Sequence, residues 1–168
     1  GAATVHSEVA ASSLLQERCP VMAEAAGMIG DPQVRNRGTV GGSVAHADPS
    51  GDMPAVLVAL NAEIHVKGPG GWRVVMAPDF FEDLFTVNMA PDEIIASVQF
   101  TPVRTSAYAK LVQRASHYAI VGVAAVLEVN GRTIVSARIG VTGATSHAQR
   151  LAGVERALAN RPLSKDTI

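Results

Sequence analysis

The chain has 168 residues, 48% of them hydrophobic and 17% charged, with a formal net charge of −1; this make-up suits an ordinary globular protein and excludes a disordered or collagenous chain. The near-neutral balance offers nucleic acid no basic stripe, because Arg35 and Arg37 are too few to form one. A lone cysteine, Cys19, excludes an intrachain disulfide, a zinc site built on cysteines and an iron–sulfur cluster within this chain, and suits a reducing compartment.

In chain order, Ser7 can cap a first helix running to about Arg18, and Pro20 can open a second whose Val21, Met22, Ala25, Met28 and Ile29 share an apolar face. Gly30 ends it. Cys19 falls at the boundary between the two as a small packed residue. Asp31-Pro32 begins an extended approach, since a residue before proline avoids the α region. Arg35 to Asp52 then reads RNRGTVGGSVAHADPSGD. Asp52 precedes the apolar run from Met53 to Leu60 and predicts a helix N-cap, and Asp48 predicts a turn.

Glu63 to Lys67 and Trp72 to Met76 alternate around Gly68-Pro69-Gly70-Gly71, the pattern of a β-hairpin, with Trp72 as a packing residue. Ile94 to Phe100 reads as a strand that Pro102 ends, and Tyr108 to Gln113 as another. Val121 to Val129 and Thr133 to Val141 flank Asn130-Gly131, a strong hairpin signal. Leu151 to Asn160 predicts a closing helix. Helices followed by strands without βαβ alternation make an α+β protein, and the absence of GxGxxG spacing disfavours a Rossmann fold. No apolar run approaches the roughly 20 residues of a membrane span, and no opening segment has the pattern of a signal peptide.

Thr39 to Ser43 (TVGGS) sets two glycines between hydroxyl residues, so that bare backbone N–H groups can approach an anion. Such a loop should be accessible, with its N–H groups convergent and Gly41 or Gly42 in a conformation other residues avoid. A bulge or turn explains a double glycine equally well, and capping alone explains Asp52. His6, His65, His117 and His147 lack the spacing of a metal site. No Ser/His/Asp arrangement or HExxH is present, so no catalytic residue is expected.

The string RNRGTVGGSVAHADPSGDMPAVLVALNAEI, followed by Phe80-Phe81, Pro91-Asp92-Glu93-Ile94-Ile95, and Tyr108-Ala109-Lys110 with Arg114, closely resembles the FAD-binding medium subunit of the molybdenum hydroxylases, the family of carbon monoxide dehydrogenase and the bacterial xanthine dehydrogenases. The resemblance implies a PCMH-type second flavin subdomain over residues 1–103, an antiparallel sheet with helices, followed by part of a small α+β C-terminal domain with a three-stranded sheet over 104–168. It places Gly41 and Gly42 against the FAD pyrophosphate, with hydroxyls from Thr39 and Ser43 and a backbone N–H from Val40. Asp52 would accept from a hydroxyl of FAD, the Ile95 side chain would lie near the isoalloxazine, and Lys110 would stand by the N1–C2 carbonyl edge to stabilise reduced flavin. Arg114 reads as a structural ion-pair partner, Ile29 as core, and His46 as a surface residue.

By the same resemblance, the subunit works in a cytoplasmic hetero-oligomer. A large partner holds molybdopterin, a small partner carries 2Fe–2S clusters, and the flavin passes their electrons to an external acceptor. The opening GAATVHSEV and the closing LSKDTI resemble internal points of the family sequence. An N-terminal glycine-rich loop is therefore expected to be missing, leaving weak flavin binding and an apolar strip near Ile29 and Ile95. Two other readings are a stand-alone flavin oxidoreductase of the vanillyl-alcohol-oxidase type and a non-catalytic assembly module.

Overall fold

The computed structural model describes residues 1–164 and 167, so the closing LSKDTI stretch lies partly outside the described residues. Six helices come first: α1 (His6–Ala11), α2 (Ser13–Arg18), α3 (Pro20–Met28), α4 (Pro32–Arg35), α5 (Val40–His46) and α6 (Asp52–Leu60). The single helix expected from Ser7 to Arg18 is two. Ser12 leaves the helical region at ψ 108°, and its hydroxyl accepts the Leu15 N–H at 3.3 Å. A serine side chain competing for backbone donors ends one helix and caps the next. The extended approach expected after Asp31 is also a helix, because Asp31 Oδ1 accepts the Val34 N–H at 2.9 Å and Pro32 takes the first helical position, where its missing N–H costs nothing.

Pro20 opens α3 as the sequence predicts; Val21, Met22 and Ala25 are buried, Met28 turns to solvent, and Gly30 leaves the helix at φ 47°. Cys19 is enclosed between α2 and α3, and burial pushes its thiol up from the ordinary value. All nine residues of α6 are buried, as expected of a helix apolar on every side.

A three-stranded antiparallel sheet follows, in the order β2-β1-β5, from β1 (Glu63–Gly68), β2 (Gly71–Met76) and β5 (Ile94–Gln99). Between its strands lie a 3₁₀ turn (Ala77–Asp79) and a small ribbon of β3 (Phe81–Asp83) and β4 (Thr86–Val87). Trp72 is not a core residue. On edge strand β2 it is exposed, and Lys67 Nζ sits 5.1 Å from its ring centroid, a cation–π contact.

The second half is a four-stranded antiparallel sheet in the order β6-β7-β8-β9, from β6 (Ser106–Val112), β7 (Ala119–Asn130), β8 (Thr133–Thr142) and β9 (Gln149–Arg150), followed by α7 (Ala152–Leu158). It has one strand more than the resemblance implied. The β7–β8 hairpin forms, but one residue further on than the Asn-Gly signal suggests: Asn130 closes β7 opposite Thr133, and the turn is Gly131-Arg132, with Gly131 at φ 60°. Helix α6 packs on β7 and β8, where Gly140 meets the Ala55 carbonyl so closely that a Cβ would collide with it. Tyr108, Ala124, Val126 and Ala148 join the same core as α3, α6 and β1, so the two halves share an interior, while Ile134, Ala137 and Ile139 form a second, smaller cluster with Leu151 and Leu158.

Candidate functional site

A cleft of about 470 Å³ opens between the end of α3, the start of α5, the start of α6 and the β6–β7 loop. Its lining includes the apolar Ile29 and Val34, the motif residues Thr39, Gly42 and Ser43, Asp52 at the start of α6, and Ser116, His117 and Tyr118. The sequence motif and Asp52 therefore do meet, but by local chemistry different from that expected.

Thr39 to Ser43 is the start of a helix and not an open loop. Thr39 is the N-cap of α5, and its Oγ1 accepts the Gly42 N–H at 3.0 Å. The Val40 N–H donates to the Thr4 carbonyl at 3.0 Å, Gly41 to Ala2 at 2.8 Å and Ser43 to Thr39 at 3.0 Å. These four groups are committed to the protein and do not converge on an external point. Neither glycine has positive φ. The pair answers to close packing: a Cβ on Gly41 would lie 2.6 Å from the Ala2 Cβ, and one on Gly42 would lie 3.0 Å from Thr39 Oγ1.

Asp52 is the first helical residue of α6, with Gly51 as the N-cap, and its side chain makes no capping bond. Its partners lie far away in sequence. The Tyr108 hydroxyl donates to Oδ1 at 2.6 Å, and Lys110 Nζ donates to Oδ2 at 2.9 Å and to the Met28 carbonyl at 3.0 Å. The Lys110 side chain is 0% exposed, so it is not the solvated cation a lone strand lysine usually is, and it meets the cleft only through Asp52. Burial raises the Asp52 carboxyl above its ordinary value, against the pull of Tyr108 and Lys110. Burial, followed by the charge of Asp52, raises the Tyr108 phenol.

Ile95 is half-buried in β5 opposite Val66, packs on the core and is not part of the cleft wall. Ile29 packs on the core too, yet it also lines the cleft. Ile29 and Ile95 are themselves half-buried, and the exposed apolar side chains near them in sequence are Met28, Val34 and Ile94. Arg114 is exposed and has no ion pair among the described residues. Asp48 forms the expected turn, accepting the Ser50 N–H at 2.8 Å. His46 is exposed at the end of α5, borders the cleft and lies 5.2 Å from the Phe85 ring. Sequence reasoning missed Ser116, His117 and Tyr118, whose loop is tied by Gln113 Oε1 accepting the Ala115 and Ser116 N–H groups at 2.6 and 2.9 Å. No periodicity marks such a loop. Among the described residues no group of His, Cys, Asp and Glu could hold a metal ion, and no helix is long and apolar enough to cross a membrane.

Residues 1–102 match the family model for the FAD binding domain in molybdopterin dehydrogenase. The chain belongs to this family. Residues 106–168 match the CO dehydrogenase flavoprotein C-terminal domain. The carbon monoxide dehydrogenase medium chain of Hydrogenophaga pseudoflava is 35% identical over 171 residues, covering all of this chain and 60% of that one. The nicotine 6-hydroxylase medium subunit of Paenarthrobacter nicotinovorans is 36% identical, covering 99% of this chain and 59% of its own. A solved structure of the H. pseudoflava carbon monoxide dehydrogenase superposes with a TM-score of 0.94 at 36% identity, over all of this chain and 60% of that one. The chain thus spans about 60% of the length of these relatives.

FAD is the cofactor for which the family is described, and the cleft fits part of it. Thr39, Gly42 and Ser43 line the same space as the apolar Ile29 and Val34, the mixture of surfaces a dinucleotide needs. Val40 and Gly41 do not fit the role of anion donors, since the carbonyls of Thr4 and Ala2 already take their N–H groups.

Proposed function

We propose that this chain is the FAD-binding, electron-transferring part of a molybdenum hydroxylase, an oxidoreductase of the cytoplasm. In this reading residues 1–103 bind the flavin and 104–168 form the flavoprotein C-terminal-type domain, in keeping with family matches that meet between residues 102 and 106. The observation that carries it is a single cleft bordered by Thr39, Gly42, Ser43 and Asp52, residues the sequence motif had already grouped. Bound FAD supplies electron transfer between iron–sulfur clusters and an external acceptor. The chain's own residues bind and orient: the hydroxyls of Thr39 and Ser43 hold polar oxygens, and Gly41 and Gly42 let the backbone pack closely. Asp52 accepts from a sugar hydroxyl, with Lys110 fixing that carboxylate from behind. Ile95 contributes through the core beneath the site and Val40 through helix geometry. The partners are a small iron–sulfur subunit and a large molybdopterin subunit in a hetero-oligomer.

Titrating FAD into the purified protein and following flavin fluorescence tests the first half of this reading; weak but saturable quenching is the expected result, and its absence overturns it. Affinity purification from the native host tests the second, with both partner subunits expected to co-purify. The committed N–H groups of Val40 and Gly41 favour one other reading, a docking module of the same fold that has lost its flavin; it predicts the partners without any quenching.

A further inference from the structure

Among the described residues one buried side-chain nitrogen or oxygen lacks a partner, His6 Nδ1. An unsatisfied buried polar atom carries a cost on the order of 1–3 kcal/mol and calls for a reason. His6 opens α1, is 3% exposed, and still borders the cleft. Its backbone is fixed next to the TVGGS motif, because its N–H donates to the Gly38 carbonyl at 2.9 Å and Val5 bridges Thr39. Glycine at position 38 makes the room, since a Cβ there would lie 3.0 Å from His6 Cδ2 and 3.4 Å from Nε2.

Burial lowers the proton affinity of this imidazole, so the ring is neutral at pH 7 and carries one N–H. An unpaired N–H sealed inside the protein is worse than an unpaired lone pair, which puts the hydrogen on Nε2. Nε2 makes no hydrogen bond among the described residues and is not a sealed orphan like Nδ1, so it is the edge of the ring open to the cleft. We propose that His6 donates a hydrogen bond through Nε2 to an oxygen of the dinucleotide bound in the cleft, a phosphate or a sugar hydroxyl. This rests on the flavin reading and extends it to a residue outside the glycine motif.

The test compares FAD titrations of the protein and of His6→Gln, His6→Asn and His6→Leu, each checked for native circular dichroism. A glutamine amide can stand in for Nε2 and an asparagine amide for Nδ1. Loss of one net hydrogen bond weakens binding by about five- to tenfold, so Asn and Leu should lose that much while Gln stays within about threefold. Leu binding as tightly as the native protein, or Gln as weakly as Leu, overturns the proposal. Riboflavin, which lacks the phosphates, separates the acceptors: weakened riboflavin binding by His6→Leu points to the ribityl hydroxyls, and unchanged binding points to the diphosphate. Nitrogen-15 spectra of the ligand-free protein give an independent readout that survives failure of any variant. A neutral Nε2–H tautomer is expected, and an Nδ1–H tautomer overturns the proposal. Native protein that binds no FAD but shows the Nε2–H tautomer contradicts the flavin reading itself, and with it the ligand assigned to His6.

Discussion

Lys110 and Asp52 form an almost fully buried ion pair at the edge of the cleft, and the size of its effect separates two roles for Asp52. A helix cap is worth about 1 kcal/mol, whereas removing one partner of a buried pair costs about 3–5 kcal/mol because the other charge is stranded. Asp52→Ala should fall in the second range in urea unfolding. Tyr108→Phe, which removes one donor to the carboxylate, should lose about 1.5–3 kcal/mol. A loss near 1 kcal/mol for Asp52→Ala would return Asp52 to capping. Nothing local in the sequence shows this pair, since Tyr108 and Lys110 lie 56 and 58 positions beyond Asp52. A second ion pair bears on stability in acid. Arg73 grips Glu93 through two bonds of 2.7 and 2.6 Å, and the Ala90 N–H adds a third at 2.7 Å. First the Arg73 hydrogen bond and then the Ala90 N–H hold the Glu93 carboxyl at about 2 against an ordinary value of 4.5. The folded value is the lower one, so the contribution is complete above pH 4.5 and lost as pH falls towards 2. Glu93→Gln should flatten that part of the stability–pH curve, and an unchanged curve would assign the acid loss to other carboxyls.

At the scale of elements, the contact of α6 with β8 depends on Gly140. A side chain there would meet the Ala55 carbonyl and approach the Ala59 N–H, while Arg138 Nε donates to the Ala59 carbonyl at 2.9 Å alongside. Because both surfaces are backbone, they cannot yield by a rotamer change. Gly140→Ala should destabilise by about 1–3 kcal/mol or more, readable as a lower thermal midpoint. A neutral result would mean that α6 can slide on the sheet. Elements written in local chemistry were legible beforehand: the β7–β8 hairpin, the β1–β2 hairpin and the proline-started α3. Helix α5 was not. Its glycines suggest a loop, and only the packing of Ala2 against Gly41 shows why a helix needs them. The two-residue strands β4 and β9 escaped for a similar reason, being too short to show a period and held by their neighbours. Of the site, the chain positions that meet in the cleft were legible from the motif, but the destinations of their hydrogen bonds were not.

For the whole molecule, the two halves share an interior, with Tyr108, Ala124 and Val126 buried in one cluster with α3 and α6. Ending the chain after residue 103 would strip β7 and β8 from the faces of α6 that they cover. The shortened protein should therefore lose its near-ultraviolet circular dichroism, and the intact chain should unfold in one cooperative transition by every probe. Two separated transitions would show that each half holds its own core.

Cys19, closed off between α2 and α3, makes the protein its own clock. A thiol that solvent cannot touch and whose acidity burial suppresses reacts only through its thiolate, during moments when the helices part. A disulfide reagent in excess should therefore label the native protein at the rate of that opening, independent of reagent concentration once reclosing is outrun. Since FAD bound in the cleft would brace the end of α3, each labelling curve would count how often the ligand lets go.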